Sequence, residues 1–320
     1  MLSLNISRAY HHGFILTGIP GMPDKNTWTC LAFSLGFLYS LTLLGNGTIL
    51  AVVKVDQSLH EPMYYFLCIL ALTDVSLSMS TLPSMLSVFW FNVPNIAFDA
   101  CVTQMFFIHV FGLVDSGVLV SMAFDRFVSI QDPLHYTSIF THHIIGRIGI
   151  SVLTRAVCVV FPVPILIKRL PFCHANVLSH SLYCLHQDMM QLACASTRVN
   201  SLYGLIVVIL TLGIDAFLIL FSYMLILKTV LGIASRAERL KALNTCLSHI
   251  CAVLLFYIPF IGATMIHRFG KHLSPVIHML MANIYLLLPP VLNPIVYSMK
   301  NKQIRRRIFQ VFQGRKNRAW

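Results

Sequence analysis

Four ionisable side chains interrupt stretches of sequence that otherwise carry no charge: Asp74, Asp115, Arg155 and Asp215. An ionisable group inside a long apolar segment is costly, so each is a candidate for binding or switching. Asp215 has no cation within a helical turn and reads as a polar packing contact to another segment. Arg155 either snorkels or pairs, without a ligand role. Nine cysteines form a second set. Cys101, Cys173, Cys184 and Cys194 fall at or between long apolar segments, and four cysteines allow three connectivities. A bridge from Cys101 to any of the other three would tie residues 168–198 down as a lid. Cys68, Cys158, Cys246 and Cys251 read as small packing residues, and Cys30 is unassigned. His174, His180 and His186 share the segment with those cysteines, but their spacing matches no zinc pattern. There is no nucleophile elbow, phosphate-binding glycine loop or paired His-Glu helix. The chemistry on offer is recognition and conformational change, not covalent catalysis.

The elements that must position these groups follow from charge. Charged residues are 11% of the 320, where soluble chains carry roughly 25%, and 57% are hydrophobic. Seven windows hold at most one charge each: Asn26–Val53, Pro62–Phe98, Ala100–Phe124, Ile148–Ile167, Val199–Leu227, Ala242–His267 and His272–Met299. A membrane-crossing helix needs about 20 mostly apolar residues, and these windows lack the alternation of a barrel strand. The expected fold is an all-α membrane protein, a seven-transmembrane helix bundle. Its spans run over about 26–53, 62–88, 100–130, 145–167, 199–228, 240–267 and 273–298. An N-terminal segment 1–25 precedes the bundle of 26–299, with a long loop at 168–198 and a tail at 300–320.

The formal charge of +12 is a topology signal. Of 23 basic residues, 15 lie on one side of the spans, including eight from Lys300 onward. That bias puts the N-terminus and the long loop outside and the tail in the cytoplasm. Arg305–Arg307 alternates with Ile308, Phe309 and Phe312, the pattern of a short amphipathic helix on the anionic inner leaflet. No soluble domain presents the basic tail to nucleic acid. Residues 1–25 lack a signal-peptide pattern, so the first span is expected to serve as signal-anchor. Asn5-Ile6-Ser7 is a glycosylation sequon on the outer side, whereas Asn46-Gly47-Thr48 lies within a span.

The motifs then carry a resemblance. Gly45-Asn46 sits in span one, LHEPMYYFL runs from Leu59 to Leu67, and MAFDRFV from Met122 to Val128. DPLHY follows from Asp132 to Tyr136, then Ser222-Tyr223 in span five. KALNTCLSH spans Lys241 to His249, FYIP spans Phe256 to Pro259, and PPVLNPIVY spans Pro289 to Tyr297. In this order and spacing, over about residues 20–312, the set closely resembles vertebrate olfactory receptors, within the rhodopsin-like G-protein-coupled receptors. The long loop, the His186-Gln187 pair after Cys184 and the LNTCLSHI run resemble the fish-like class I branch. Phe127, Ser129, Gln131 and Asp115 stand where Tyr, Ala, Cys and Glu are usual, which leaves the family reading intact.

The resemblance implies a Cys101–Cys184 bridge with Cys173–Cys194 as the second. It implies a small-molecule odorant, a stimulatory heterotrimeric G protein raising cyclic AMP, and the plasma membrane of olfactory cilia. It places Asp74 and Asp115 together at a mid-bundle sodium site. Two close carboxylates repel, so either Na⁺ sits between them or one stays neutral and bonds the other. No other cofactor is implied. Asp125 and Arg126 form the G-protein switch, with Tyr223 and Tyr297 as partners in its rearrangement and Asn293-Pro294 letting span seven bend. The pocket is expected between spans three, five, six and seven under the loop. His109 lies about 12 Å past Cys101, and Arg268 about 13.5 Å past Pro259, so both can approach one cavity. An arginine with no acid nearby in sequence suits a carboxylate. Its alternative is interfacial snorkelling, as packing is for His109. Phe106, Gly112, Leu113, His186, Gln187, Leu205, Tyr257, Phe260, Thr264 and Asn283 complete the expected lining. The ligand class is aliphatic carboxylic acids or other water-soluble odorants. A transporter or channel is the alternative function, but seven spans do not divide into inverted halves. A membrane-embedded enzyme would need a nucleophile or metal set that is missing.

Overall fold

The computed structural model of the chain describes residues 13–16, 25–172, 177–178, 182–270, 272–300 and 302–312. The sequon at Asn5 and the thiol of Cys173 lie outside them. Seven long helices dominate: α1 (Lys25–Val55), α2 (Pro62–Phe89), α3 (Phe98–Gln131), α4 (His142–Lys168), α5 (Arg198–Gly232), α6 (Arg236–Phe269) and α7 (Pro275–Lys300). Five of them, α1 and α3 to α6, overrun their apolar windows at both ends, because backbone hydrogen bonding carries a helix on into the interfacial zone where charged residues are tolerated. α2 stops at Phe89, short of Phe98, and α7 begins at Pro275, inside its window. A short α8 (Lys302–Phe312) follows.

α3 threads the middle of the bundle and packs on α2, α4, α5 and α6. Its buried face includes Met105, Ile108, Val110, Leu113, Val118 and Leu119. α4 and α5 instead turn Ile150, Leu153, Ile209, Phe217 and Leu220 outward. An apolar rim of that extent is at ease only in hydrocarbon.

Proline chemistry explains how α1 meets α7. Pro294 has no N–H, so the carbonyl of Pro290 one turn back lacks its helical donor. Asn46 Nδ2, buried on α1, donates to that carbonyl at 3.0 Å. A Cβ on Gly45 would come within 2.9 Å of the Pro294 ring, so the glycine lets the two helices touch. The Gly45-Asn46 motif therefore spaces the helices and repairs the backbone that Pro294 breaks.

α5 contains a π-helical stretch, Val208–Gly213. The wider turn resets the helical phase just before Asp215, which is buried between outward-facing Ile214 and Phe217.

The Cys101 end carries something the all-α expectation does not include, a small sheet in the order β2-β1-β3. Its strands are β1 (Phe14–Leu16), β2 (Asn95–Ile96) and β3 (Val177–Leu178). Ile15 opposes Asn95 antiparallel and Val177 parallel. Gly13 enters β1 at φ 64, where a Cβ would collide with the Ile96 carbonyl. Strands this short give little hydrophobic periodicity to read.

At the opposite end α8 buries Ile304 and exposes Arg305 and Arg306. Arg307 pairs with Asp56, and Tyr64 donates to Gln303, fastening α8 beneath the α1–α2 turn.

Candidate functional site: a covered cavity and the polar nodes beneath it

The lid is fixed before the cavity is defined. Cys184 is bonded to Cys101 at the start of α3, and its backbone N–H donates to Gln104 Oε1 at 3.0 Å. Gln104 in turn donates to Ser84 Oγ and the Ser80 carbonyl on α2. One residue earlier, buried Tyr183 meets Tyr39 Oη at 3.1 Å and donates to Asn283 Oδ1. Cys194 is also disulfide-bonded.

Beneath the lid lies a cavity of about 760 Å³, walled by α3, α4, α5, α6, α7 and the lid helix His186–Gln191. Of the residues expected from sequence, His109, Gly112, Leu113, His186, Gln187, Phe260, Thr264 and Arg268 line it. Four do not. Phe106 packs its ring against Phe107, and Asn283 is engaged with Tyr183 and the Met279 carbonyl. Tyr257 bonds Ser116, away from the cavity wall. Leu205 falls off the inward row of α5, which runs through Ser201, Gly204 and Val208 at helical spacing. That row, with His267, His278 and Tyr285, was missed; the small Ser201 and Gly204 were its only sequence signal.

The polar wall is basic. His109 donates Nδ1–H to the Met105 carbonyl at 2.8 Å, which leaves Nε2 for other partners. Its ring stands edge-on to His186 at 6.4 Å. His186 fits against Gly204, where a Cβ would touch the imidazole at 3.4 Å. Burial first, then the neighbouring His109 and Arg268, push His186 down from 6.5 to about 3, so it is a neutral ring. His267 donates Nδ1–H to the Ala263 carbonyl and turns Nε2 to the Asp188 carboxylate of the lid at 3.6 Å. Arg268 makes only a long contact, 3.5 Å, to the Ser201 carbonyl. Its Nε is buried without a hydrogen bond, and it forms no ion pair among the described residues. A half-buried guanidinium in a cavity wall, with no carboxylate paired to it among the described residues, has the chemistry to receive an anion.

Toward the middle of the bundle, Ser116 Oγ donates to Asp215 Oδ2 at 2.8 Å. Its single proton is thereby used, so Tyr257 is the donor in the 2.9 Å contact between the two hydroxyls. Arg155 completes the node by gripping Asp215 from α4. The cation that Asp215 lacks in sequence is supplied by the neighbouring helix.

Asp74 accepts from Asn293 Nδ2 at 3.1 Å. Four buried oxygens here have no hydrogen-bond partner among the described residues: Asp74 Oδ1, Asp115 Oδ1, Ser78 Oγ and Asn293 Oδ1. Asp115 feels the charge of Asp74. Orphaned oxygens with no imidazole or thiolate suit a hard cation such as Na⁺. Among the described residues no cluster of three His, Cys, Asp or Glu side chains exists for a transition metal.

At the far end of α3, Asp125 stands 3.7 Å from Arg126 and accepts from Tyr136 Oη at 2.7 Å. Burial first, then the Asp125 carboxylate, push the Tyr136 phenol upward, so it stays a neutral donor. Tyr223 is bound to His249 at 2.6 Å, and Tyr297 donates to Met122 Sδ at 3.8 Å. Neither tyrosine bonds Arg126. Asn293 and Pro294 lie in α7 as expected, Asn293 holding Asp74. Tyr136 and His249 are further polar partners at this end, bonded to Asp125 and Tyr223, that sequence reasoning missed.

Seven helices, a disulfide-tied lid over a cavity and a locked Asp-Arg pair at the opposite end define a rhodopsin-like receptor. The fold matches a crystal structure of squid rhodopsin with a TM-score of 0.75, covering 95% of this chain and 92% of that one at 18% identity. The olfactory receptor family model matches residues 35–315. Human olfactory receptor 51H1 is 77% identical, with 95% of this chain and all of that relative covered; human olfactory receptor 51L1 is 56% identical, covering 96% and 97%. The chain belongs to the olfactory receptor family. It is a multi-pass plasma-membrane receptor for odorants, working through a heterotrimeric G protein and not as an enzyme.

Proposed function

We propose that the receptor recognises aliphatic carboxylic acids in the covered cavity, with Arg268 holding the carboxylate, and activates a stimulatory G protein that raises cyclic AMP. The observation that carries this reading is the half-buried Arg268, which has no acidic partner among the described residues. Neutral His186 and the free Nε2 of His109 lie beside it and add hydrogen bonds without charge. Gly112, Leu113, Leu212, Phe256 and Phe260 offer the apolar remainder to a hydrocarbon chain. The lid end then faces outside and the Arg126 end the cytoplasm, as the basic tail favours; olfactory cilia are the proposed location.

Acid binding draws the outer end of α6 toward the anion. The same helix carries Tyr257 at the Ser116–Asp215 node and His249 against Tyr223, so a shift of α6 bears on both. Release of Arg126 from Asp125 opens the inner end to the G protein. Asp74, Asp115, Ser78 and Asn293 would hold Na⁺, whose charge stabilises the closed bundle. Replacing external Na⁺ by a large organic cation is expected to raise basal signalling, and Asp74→Asn to abolish that dependence; unchanged basal signalling would count against the ion.

A cyclic-AMP reporter with a panel of acids, read alongside surface expression, tests the main reading. Arg268→Ala is expected to reach the surface and lose acid responses by at least about tenfold, the scale of one charge-assisted hydrogen bond. Unchanged acid responses in that variant would sink the assignment.

A further inference from the structure

The cavity has a second polar pole, remote from Arg268. Tyr285 of α7 lines it, with its ring held edge-on by Phe260 at 5.5 Å. Its hydroxyl oxygen lies 2.8 Å from where a Cβ on Gly112 would stand, so it is pressed against the α3 backbone. Glycine at 112 is what leaves room for that hydroxyl. The Tyr285 hydroxyl makes no hydrogen bond among the described residues, and it is not one of the sealed, unsatisfied polar atoms. The Asp115 carboxyl acts on this phenol electrostatically without a hydrogen bond to it, so a donor beside a cavity lined by Leu113, Phe256 and Phe260 is expensive unless something in the cavity accepts from it.

The spacing of the two poles can be read along α6. Phe260, which touches Tyr285, and Arg268 are eight residues apart, about 12 Å at the helical rise. The Arg268 side chain shortens that span, leaving a length suited to a chain of about six to eight carbons.

We propose that the Tyr285 hydroxyl, over Gly112, is a second recognition element that reads a hydroxyl or carbonyl group at the far end of the ligand. The preferred ligand class becomes ω-hydroxy or oxo fatty acids of medium length, not simple acids. Naming an acid rests on the Arg268 reading above; the Tyr285 contact does not. One neutral hydrogen bond gained against an otherwise unsatisfied donor corresponds to roughly a fivefold to tenfold gain in potency. Specificity of this kind is sharp, because an analogue lacking the acceptor leaves the phenol unpaired.

The test compares matched pairs on the full-length receptor by cyclic-AMP reporter with surface expression measured. Octanoic acid is set against 8-hydroxyoctanoic and 7-oxooctanoic acids, and 1-octanol against 1,8-octanediol. The expected result is a roughly fivefold or greater preference for the doubly polar member of each pair. Tyr285→Phe, which removes one oxygen, is expected to abolish the preference, bringing each doubly polar compound to the potency of its simpler partner. Gly112→Ala, which pushes the hydroxyl aside, is expected to do the same. Failure of the Arg268 reading looks different: acids lose their advantage over alcohols, yet the diol preference and its loss in Tyr285→Phe survive. Equal potency within the pairs, a preference that persists in Tyr285→Phe, or silence to all five compounds at a surface-expressed receptor overturns the proposal.

Discussion

Arg155 holds Asp215 through two parallel 2.7 Å hydrogen bonds, Nη1 to Oδ1 and Nη2 to Oδ2, joining α4 to α5 within the apolar belt. The Asp215 side chain is 2% exposed and that of Arg155 36%, so the pair is anchored on the Asp215 side and partly open on the other. Removing the arginine strands a buried carboxylate that Ser116 alone must satisfy. Arg155→Met is expected to cost about 3 kcal/mol, the lower end for a broken buried pair because Arg155 is partly exposed. Asp215→Asn should cost less, since Ser116 keeps an acceptor. The double variant Arg155→Met with Asp215→Leu should recover much of the loss, as apolar replacements of buried pairs do. Surface expression and thermal unfolding in detergent check the order; a double variant worse than Arg155→Met would refute it.

The Asn46–Pro290 bond predicts a different failure. Asn46→Ala leaves the Pro290 carbonyl buried without a donor, at a cost of about 1–3 kcal/mol. Asn46→Asp should be at least as damaging, because a carboxylate oxygen cannot donate to a carbonyl. Pro294→Ala restores the missing N–H and should relieve Asn46→Ala in the double variant. Unfolding midpoints of the four proteins decide this, and additive effects of the two changes would show that the carbonyl is not the link.

Much of the bundle was legible because hydrocarbon imposes a long, nearly uncharged window on each helix. The pairing at the inner end of α3 could be placed in advance because Asp125 and Arg126 are contiguous in sequence, as Asn293 and Pro294 are in α7. The cavity was less so. His109 and Arg268 could be placed by counting helical rise from Cys101 and Pro259, which works on regular helices. The α5 wall could not, because its inward row begins with Ser201 and Gly204, which offer neither a large nor a charged side chain to mark the facing, ahead of the π-helical stretch at Val208–Gly213. Tyr285 was invisible for another reason: its role depends on an opening left by Gly112, on another helix. The Arg155–Asp215 pair likewise joins residues 60 apart, and no local spacing signals it.

The hydrogen bond from Tyr136 to Asp125 leads to a prediction about basal activity. Asp125 is shared between Arg126 and Tyr136 at 3.7 and 2.7 Å. The phenol fixes the carboxylate in place to hold Arg126. Tyr136→Phe removes a hydrogen bond to a charged group, about 1.5–3 kcal/mol, if that bond exists only in the resting state. A two-state receptor then shifts toward the active form by about tenfold or more. Ligand-independent cyclic AMP per surface receptor is expected to rise, with acid potency increasing in step. Basal signalling at or below wild type would mean that the bond survives activation.

His186 ties the lid to pH. Folding holds its imidazole neutral: the unfolded chain takes up a proton near pH 6.5, whereas the folded one does so only near about 3. Between those values the unfolded state binds more protons, so stability is full above pH 6.5 and is lost as pH falls. The groups that oppose protonation are His109 on α3 and Arg268 on α6, after burial itself. The loss from this residue amounts to about 2 kcal/mol by pH 5. Other buried histidines contribute to the same acid limb, so the measurement is a difference. Unfolding midpoints of the wild type and His186→Gln, in lipid nanodiscs between pH 7.5 and pH 5, should converge as pH falls. The glutamine variant starts lower from imperfect packing beside Gly204 and declines less steeply. Parallel curves would mean that His186 is protonated equally in both states, and that its neutral ring is not what the lid requires.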